Sequence, residues 1–203
     1  MGIFLDSLSA GTEVKQAAGL MVSYIAARPQ IRDSDLLLSR PTRQPWSQWI
    51  AATGRSDYSH ASKVAWWGDR LFNLEMIQWR GGQATLLSHL VQQWPGYYDL
   101  FELVGATDAQ RSRIVGEMQA MCGVPYGWRS AAKLYLANTP IVRFFVRVNT
   151  DDVADGRDLF CSAVVSRADR AAGLDPVPHL SDADTLPGDL ARSNLYRYRF
   201  TLV

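Results

Sequence analysis

The chain has 203 residues, of which 47% are hydrophobic and 20% are charged, and it includes seven Trp, eight Tyr and seven Phe. This length and apolar content predict one globular domain with a substantial core, and they exclude a disordered chain. With 21 basic and 20 acidic residues and no long run of one sign, the chain has no overall field to attract phosphates. Nucleic acid is therefore not an expected partner.

The N-terminus and the most apolar window predict no targeting or membrane element. The first residues, MGIFLDSLSAGTEVKQ, have no basic region ahead of an apolar stretch, so we expect no secretory signal peptide and synthesis in the cytoplasm. The window 131–148 is interrupted by Lys133, Pro140 and Arg143, so we expect no membrane-spanning helix. Association with a virion or delivery to a cell wall stays open.

The first predicted element is a helix from Thr12 to about Arg28, because apolar residues recur there at helical spacing until Pro29 ends it. We interpret residues 1–30 as an N-terminal helical extension and residues 31–203 as the main domain. The apolar face of this helix either packs on the domain, which is the preferred interpretation, or binds a protein partner, for instance in a phage particle.

Two short elements follow. The segment DSDLLLSR predicts a buried strand over residues 36–38. A polar loop then leads to a helix over residues 47–53, which Gly54 closes.

A β-hairpin is predicted next, from the segments YSHASKVAWW and RLFNLEMIQW. Gly68 and Asp69 between them indicate a two-residue turn flanked by Trp67 and Arg70. The glycine pair at 81–82 is expected to close the second arm.

The register of this hairpin decides which side chains share a face. With a two-residue turn, Ser62 lies opposite Glu75. His60 then lies opposite Ile77. Side chains alternate along a strand, so His60 and Glu75 share a face as diagonal neighbours within reach of each other. Asn73 shares the same face.

Helices and strands are predicted along the remainder of the chain. They are a helix at 85–94, a strand in YYDLFELV, a helix at 108–122 that Gly123 ends, and a helix, loop and helix up to residue 148. An exposed loop at 149–157 precedes a final helix that begins around residue 158 or 159, ends near Gly173 and has Cys161 in its first turn. The C-terminal YRYRFTLV predicts a strand by alternation.

Cys161 is the best-placed candidate for chemistry. The positive end of a helix and a nearby imidazolium together lower a thiol pKa from about 8.5, and His60 is the candidate imidazole. His60 would take or hold the proton and later donate it to a leaving amine. Glu75 is placed to fix the imidazole tautomer, with Asn73 in reserve. Backbone amides at the helix start, including that of Cys161, suit the oxyanion of acyl transfer from an amide or ester.

These residue types also have structural uses that need no chemistry. A single Cys near a helix start is more often a small buried hydrophobe, and a single His on a strand is more often a structural donor. Cys122 is expected to pack, and neither His89 nor His179 has a partner spaced for chemistry. The aromatic cluster at 94–98 either lines a substrate groove or, as preferred, packs in the core. No Cys or His spacing suits zinc, and no metal or organic cofactor is expected.

The order of these segments resembles the permuted branch of the NlpC-type papain-like hydrolases, which contains the YiiX-like amidases. In that branch a leading strand similar to DSDLLLSR precedes a strand with His in a phrase like YSHASKVAWW, and a polar triad member follows on the next strand, here in NLEMI. A YGW-like phrase at 125–128, a Cys helix similar to LFCSAVVSRADRAAGLD and a late phrase similar to LPGDLARS complete the likeness, which spans about 33–193.

The resemblance implies an α+β, permuted papain-like fold with an antiparallel sheet packed against the helix that bears Cys161. It implies a cysteine peptidase or amidase with a Cys161, His60 and Glu75 triad, acting through a thioester on a peptide, with peptidoglycan peptides as the expected substrate. Ala163 stands where relatives frequently have an acidic residue, and Lys63 interrupts an otherwise apolar strand, so the substrate class stays open.

Two rival functions remain on the same fold. The first is a lipid acyltransferase or thioesterase, which an apolar tunnel beside Cys161 would favour, whereas a polar open groove would favour a peptide. The second is a non-enzymatic structural component, such as a phage tail protein, that retains the fold and binds partners through the N-terminal helix and aromatic surface.

Overall fold

The computed structural model describes residues 19–128, 131 and 159–203. In this part of the chain, seven strands form one sheet in the order β1-β7-β6-β2-β3-β4-β5. The strands are β1 Met21–Val22, β2 Leu36–Ser39, β3 His60–Trp67, β4 Arg70–Ile77, β5 Gly81–Leu86, β6 Tyr98–Leu103 and β7 Tyr196–Leu202. The helices are α1 Tyr24–Ala27, α2 Pro45–Thr53, α3 Leu87–Gln93, α4 Asp108–Ala120, α5 Cys161–Ala171 and α6 Pro187–Arg192, with short 3-10 turns at Arg28–Gln30 and Asp182–Asp184.

The predicted hairpin is confirmed as β3 and β4. Trp67 pairs with Arg70 across the two-residue turn, and Ser62 pairs with Glu75 as that register requires. The β3–β4 ladder ends at this pair, so the expected pairing of His60 with Ile77 does not form. His60 pairs with residue 39 of β2, and residue 77 pairs with residue 81 of β5.

The strand predicted in DSDLLLSR is confirmed as β2, which lies antiparallel between β3 and β6. Leu36 and Leu38 belong to one core and Leu37 to another, which is why the run is apolar at successive positions. The helix predicted at 47–53 is confirmed as α2 and begins at Pro45, a residue that suits the first helical turn.

Each face of the sheet is covered by helices. On the first face, α4 and α5 pack against β2, β3 and β4 through Leu36, Leu38, Ala61, Ala65, Leu74, Met76, Ile114, Met118, Val164, Val165 and Ala168. On the second face, α1 and α3 pack through Ala27, Leu37, Val64, Leu71, Leu87, Val91 and Leu100. The elements that carry the candidate site are therefore fixed from both sides of the sheet.

The helix predicted from Thr12 to Arg28 is confirmed only over its last turn and is wrong before it, and its residues 12–18 lie outside the described residues. Met21 and Val22 form β1, parallel to β7, and only Tyr24–Ala27 are helical before a 3-10 turn. Backbone bonds to the edge of β7 outweigh the helical spacing, since N–H of residue 201 donates to the carbonyl of residue 20 at 2.8 Å. The boundary between residues 30 and 31 stays a prediction.

The parallel β1–β7 pair also corrects the predicted antiparallel sheet. The pairs β2–β3, β2–β6, β3–β4, β4–β5 and β6–β7 are antiparallel, and β1–β7 is parallel, so the described sheet is mixed.

The glycines at 81 and 82 begin a strand instead of closing the hairpin, and the helix predicted at 85–94 begins only at Leu87. The two glycines are needed because the segment 121–125 crosses them closely. A Cβ at Gly82 would lie 1.8 Å from the carbonyl oxygen of Met121, and one at Gly81 would lie 2.1 Å from that of Val124. The start of β5 therefore packs against the segment 121–125, a role that the local sequence of β5 does not indicate.

The later elements follow the prediction where they are described. The helix predicted at 108–122 is confirmed as α4, the strand in YYDLFELV as β6, and the C-terminal strand as β7. Cys161 lies in the first turn of α5, which begins two or three residues later than expected. The helices and loop predicted between residues 132 and 157 lie outside the described residues.

Candidate active site

The start of β3, the second half of β4 and the start of α5 meet at one place. They bring together His60, Glu75 and Cys161, the three side chains that the sequence singled out. Glu75 and Cys161 are buried, with 8% and 3% of their surface exposed. His60 keeps 22% of its side chain accessible, so the imidazole is the member of this group that solvent reaches most easily.

The imidazole of His60 is held from one side by Glu75. Its Nε2 lies 3.1 Å from Oε2 of Glu75. The other carboxylate oxygen, Oε1, accepts a long hydrogen bond of 3.5 Å from Nε2 of Gln83 on β5, and the same amide donates to Thr85 at 3.2 Å. The contact with Glu75 engages Nε2 and leaves Nδ1 for a second partner.

Cys161 is the first residue of α5, directly after Phe160 at the N-cap. Burial raises the pKa of its thiol, but the charge of His60 and a hydrogen bond with His60 lower it, and backbone hydrogen bonds from Ala61 and Ser162 lower it further. The net result is a thiol pKa below the ordinary value. The sulfur is therefore held in an environment that favours the thiolate.

His60 shows the complementary shift. Burial lowers its pKa, while the charge of Cys161, the hydrogen bond with Cys161 and the contacts with Glu75 raise it, to about 10. The two shifts have one cause, because a thiolate and an imidazolium in contact stabilise each other. At neutral pH the arrangement favours a thiolate–imidazolium ion pair.

Asn73, the reserve candidate for the residue that orients the imidazole, makes no hydrogen bond to His60. It is fully buried two residues before Glu75 on β4. Its side-chain amide makes no hydrogen bond to any residue that the structure describes. Glu75, not Asn73, therefore contacts the imidazole.

The loop before His60 is anchored by polar contacts. The N–H of Ser59 donates to the carbonyl of residue 39 at 2.9 Å, and Ser47 donates to Ser59 through their hydroxyls at 2.9 Å. The hydroxyl of Tyr58 donates to Asp99 at 2.8 Å. These bonds fix the backbone at the start of β3 and, with it, the position of the imidazole.

A cavity of about 310 Å³ opens beside Cys161 and His60. Its walls combine aromatic and aliphatic side chains with uncharged polar groups: Ser39, Thr42, Gln44, Trp46, Ser47, Ile50, Ser59, Met76, Ile77, Gln78, Leu90, Trp94, Tyr97, Tyr98 and Tyr126. The aromatic cluster at 94–98 lines the cavity and also packs against the core of the second sheet face, so both uses predicted for it are present. A cavity of this size and lining suits an organic substrate at the thiol.

One wall of the cavity continues to the surface as a row of aromatic rings. Tyr126 lines the cavity, its ring centroid lies 5.0 Å from that of Trp128, and Trp128 lies 4.3 Å from Trp79. Trp79 is 82% exposed and has a positive φ of 70°, an unusual combination for a large side chain. Neither Gln83 nor Trp79 was identified from the sequence, because each is defined by neighbours and not by a motif.

The other cysteine and histidines lie away from this site. Cys122 is exposed, and partial burial of its thiol raises its pKa, in contrast to Cys161. His89 lies on the exposed side of α3, and His179 is exposed in the loop before α6. Among the residues described, no group of three or more His, Cys, Asp and Glu side chains is arranged to hold a metal ion. No helix in the same residues is long and apolar enough to cross a membrane.

Comparison with known proteins gives a likeness in structure alone. No family matches the sequence, and no curated protein matches it either. Among solved structures, the chain is similar to one described as metalloprotein yiiX from Escherichia coli O157:H7, DUF1105, with a TM-score of 0.60 and 14% identity. The match covers 85% of this chain and 98% of that one. At this identity the likeness shows a shared α+β fold of the YiiX type.

Proposed function

We propose that this chain is a cysteine hydrolase with a permuted papain-like fold, in which Cys161 forms a thioester with the acyl group of its substrate. The observation that supports the proposal is the imidazole of His60, which contacts the sulfur of Cys161 as well as the carboxylate of Glu75. A nucleophile, a base and a group that orients the base are the minimum that thiol catalysis needs.

In the proposed first step, the thiolate of Cys161 attacks the carbonyl carbon of an amide and the carbonyl oxygen becomes an oxyanion. The first N–H groups of a helix have no partner within it, so the N–H of Cys161 is the proposed oxyanion donor. The imidazolium of His60 donates its proton to the leaving amine as the carbon–nitrogen bond breaks, which leaves a thioester.

In the second step, neutral His60 takes a proton from water while the hydroxyl oxygen adds to the thioester carbon. The carbon–sulfur bond then breaks, the carboxylic acid leaves, and the thiolate–imidazolium pair forms again. Glu75 accepts a hydrogen bond from Nε2 of His60 throughout, so that Nδ1 is the nitrogen that carries the transferred proton.

We propose a peptide amide as the substrate, with peptidoglycan peptides as the first to test. Uncharged polar groups at the cavity, including Thr42, Gln44 and Gln78, are suited to hydrogen bonds with a peptide backbone. A second candidate is an acyl ester or thioester, because aliphatic side chains at Ile50 and Leu90 line the same cavity and suit an acyl chain.

The decisive experiment is the pH dependence of alkylation at Cys161, followed by mass spectrometry in the natural chain and in His60→Ala. Cys122 in the same molecule is the control, because its thiol pKa is shifted in the opposite direction. We expect Cys161 to react rapidly well below pH 8 and to lose this reactivity in His60→Ala.

Labelling of Cys161 that is as slow as that of Cys122, in a folded protein, would remove the catalytic proposal and favour a structural role. If the activated pair is present, peptidoglycan peptides and acyl esters are then incubated with the natural chain and with Cys161→Ala. If the natural chain hydrolyses esters but not peptides, and Cys161→Ala hydrolyses neither, the acyl ester replaces the peptide amide as the proposed substrate.

A further inference from the structure

A lysine is fully buried behind the candidate site. Lys63 lies three residues after His60 on β3, and its Nζ lies 2.8 Å from Oδ1 of Asp169 on α5. The same Nζ donates to the carbonyl of Ser34 at 3.0 Å and contacts the hydroxyl of Tyr196 at 2.6 Å. Tyr196 in turn donates to the other oxygen of Asp169. One ion pair thus joins β3, α5 and β7.

A second buried ion pair adjoins the first. Arg111 on α4 lies 2.9 Å from Asp35, the residue before β2, and donates to the carbonyl of Asp33 at 2.6 Å. Burial lowers the pKa of Lys63 and raises that of Asp169, and the attraction between the two opposes both shifts. The charges of Asp35 and Arg111 also act on Lys63, in opposite directions. The formal charges of these four side chains therefore balance to zero, which is the condition under which charges remain inside a protein.

Stability alone does not account for charges at this position. Replacing a buried ion pair with apolar residues of similar volume is often neutral or stabilising, because removing two charges from water costs about as much as their attraction returns. Ala61 and Ala65, the neighbours of Lys63 on the same face of β3, are apolar and fully buried. An apolar side chain at residue 63 would continue that surface, but it would have no specific partner on α5.

The spacing along the two elements indicates what the ion pair does. Lys63 lies three residues from His60, or about 10 Å along a strand. Asp169 lies eight residues from Cys161, or about 12 Å along a helix. The contacts of Cys161 with His60 and of Asp169 with Lys63 therefore attach α5 to β3 at two points separated by similar lengths. A shift of α5 by one turn, about 5.4 Å, breaks both contacts.

We propose that the ion pair of Lys63 and Asp169 is a positioning device that keeps α5 in register with β3, so that the sulfur of Cys161 stays in hydrogen-bond contact with His60. The consequence for catalysis rests on the function proposed above, whereas the geometric part rests on the contacts alone. Lys63 and Asp169 act through the site residues and touch no substrate.

The first test is the double variant Lys63→Met with Asp169→Leu, which removes both charges and keeps similar volume. We expect it to fold with a cooperative thermal transition and to alkylate Cys161 about tenfold more slowly at neutral pH, the factor that about 1.4 kcal/mol of lost positioning gives. The control is Arg113→Gln with Glu117→Gln, which removes an exposed ion pair on α4. A pH profile of Cys161 alkylation equal to that of the natural chain would overturn the proposal.

A second measurement does not depend on thiol activation. His60→Cys in a Cys122→Ser background offers two neighbouring thiols to dibromobimane, which fluoresces when it cross-links close thiols. We expect rapid cross-linking with the ion pair intact and slower cross-linking in the double variant. Equal rates would overturn the positioning role. If the cross-linking rates differ but Cys161 of the natural chain proves not to be activated, the positioning role stands and the proposed function is rejected.

Discussion

Glu75 determines how the imidazole of His60 is presented to the sulfur. Glu75→Gln keeps the size of the side chain but removes the charge that helps to raise the pKa of His60. We expect the alkylation rate of Cys161 at pH 6 to 7 to fall by about tenfold, because the imidazolium then loses one of its two partners. The alkylation profile and the hydrolysis rate are the measurements.

Gln83→Ala is the matched control for that prediction, because it removes the neighbour of Glu75 and keeps the carboxylate. A larger loss in Gln83→Ala than in Glu75→Gln would mean that the amide, and not the charge, orients the imidazole.

Asn73 has a polar amide with no partner among the described residues, in a fully buried position. An unpaired buried amide costs about 1 to 3 kcal/mol, so we expect Asn73→Leu to raise the free energy of unfolding by about 1 kcal/mol once repacking is included. Urea denaturation measures the change. The alkylation profile of Cys161 should stay as in the natural chain, and a lost profile would assign Asn73 to the site.

At the scale of elements, the crossing of segment 121–125 over β5 depends on two residues without side chains. Gly82→Ala would place a Cβ 1.8 Å from the carbonyl oxygen of Met121, which no side-chain rotation relieves. We expect the free energy of unfolding to fall by about 1 to 3 kcal/mol. Tyr126 follows this crossing and lines the cavity beside Cys161, so we expect the cavity wall at Tyr126 to move as well.

Gly116→Ala is the control for that substitution. Gly116 lies in the interior of α4, and a Cβ there meets nothing within 4 Å. Alanine favours a helix interior, so this variant should be more stable by up to about 1 kcal/mol. Equal effects of the two substitutions in thermal denaturation would show that the segment yields to a side chain at residue 82.

Elements whose signals are local could be predicted from the sequence, and those that depend on distant partners could not. The turn at Gly68 and Asp69 set the register of β3 and β4, and that register placed Glu75 beside His60. β1 was missed because it is defined by backbone bonds to β7, nearly the whole chain away. The glycines at 81 and 82 were misread for the same reason, since their purpose lies in a contact with residues 121–125.

At the scale of the whole molecule, the site also includes residues with local sequence signals and residues that depend on distant partners. A helix start at Cys161 and a strand with His60 were visible in the sequence, and the fold brings them into contact. Lys63 was noticed only as an interruption of an apolar strand. Its partner Asp169 was invisible, because no spacing rule links a residue of β3 to one on a helix that follows a hundred residues later.

The thiolate–imidazolium pair links the stability of the whole molecule to pH. The pKa of His60 is raised from 6.5 to about 10, so its contribution to stability is full below pH 6.5 and is lost as the pH rises through about 10. The pKa of Cys161 is lowered from 9.0, so its contribution is full above pH 9 and is lost as the pH falls through the lowered value. Between about pH 6.5 and pH 9, the contribution that His60 loses as the pH rises is offset by the contribution that Cys161 gains. The pair together therefore stabilises the fold most in this range.

Urea unfolding of the natural chain and of His60→Gln with Cys161→Ala, from pH 5 to 10.5, measures this contribution. We expect the difference in unfolding free energy to be level between those limits and to decrease on both sides. A difference that does not change with pH would show that the two groups are uncharged in the folded protein.

The separation of the site residues along the chain has a consequence for how the protein is made. His60 and Glu75 lie 15 residues apart on one hairpin, a contact between residues that are close in the sequence. Cys161 is synthesised much later, and Tyr196, which contacts both Lys63 and Asp169, is 133 positions beyond Lys63. The lowered pKa of the Cys161 thiol depends on its contact with His60, so it is a property of the folded chain and not of the newly made one. On the proposed function, the nucleophile is therefore assembled only when the chain has folded.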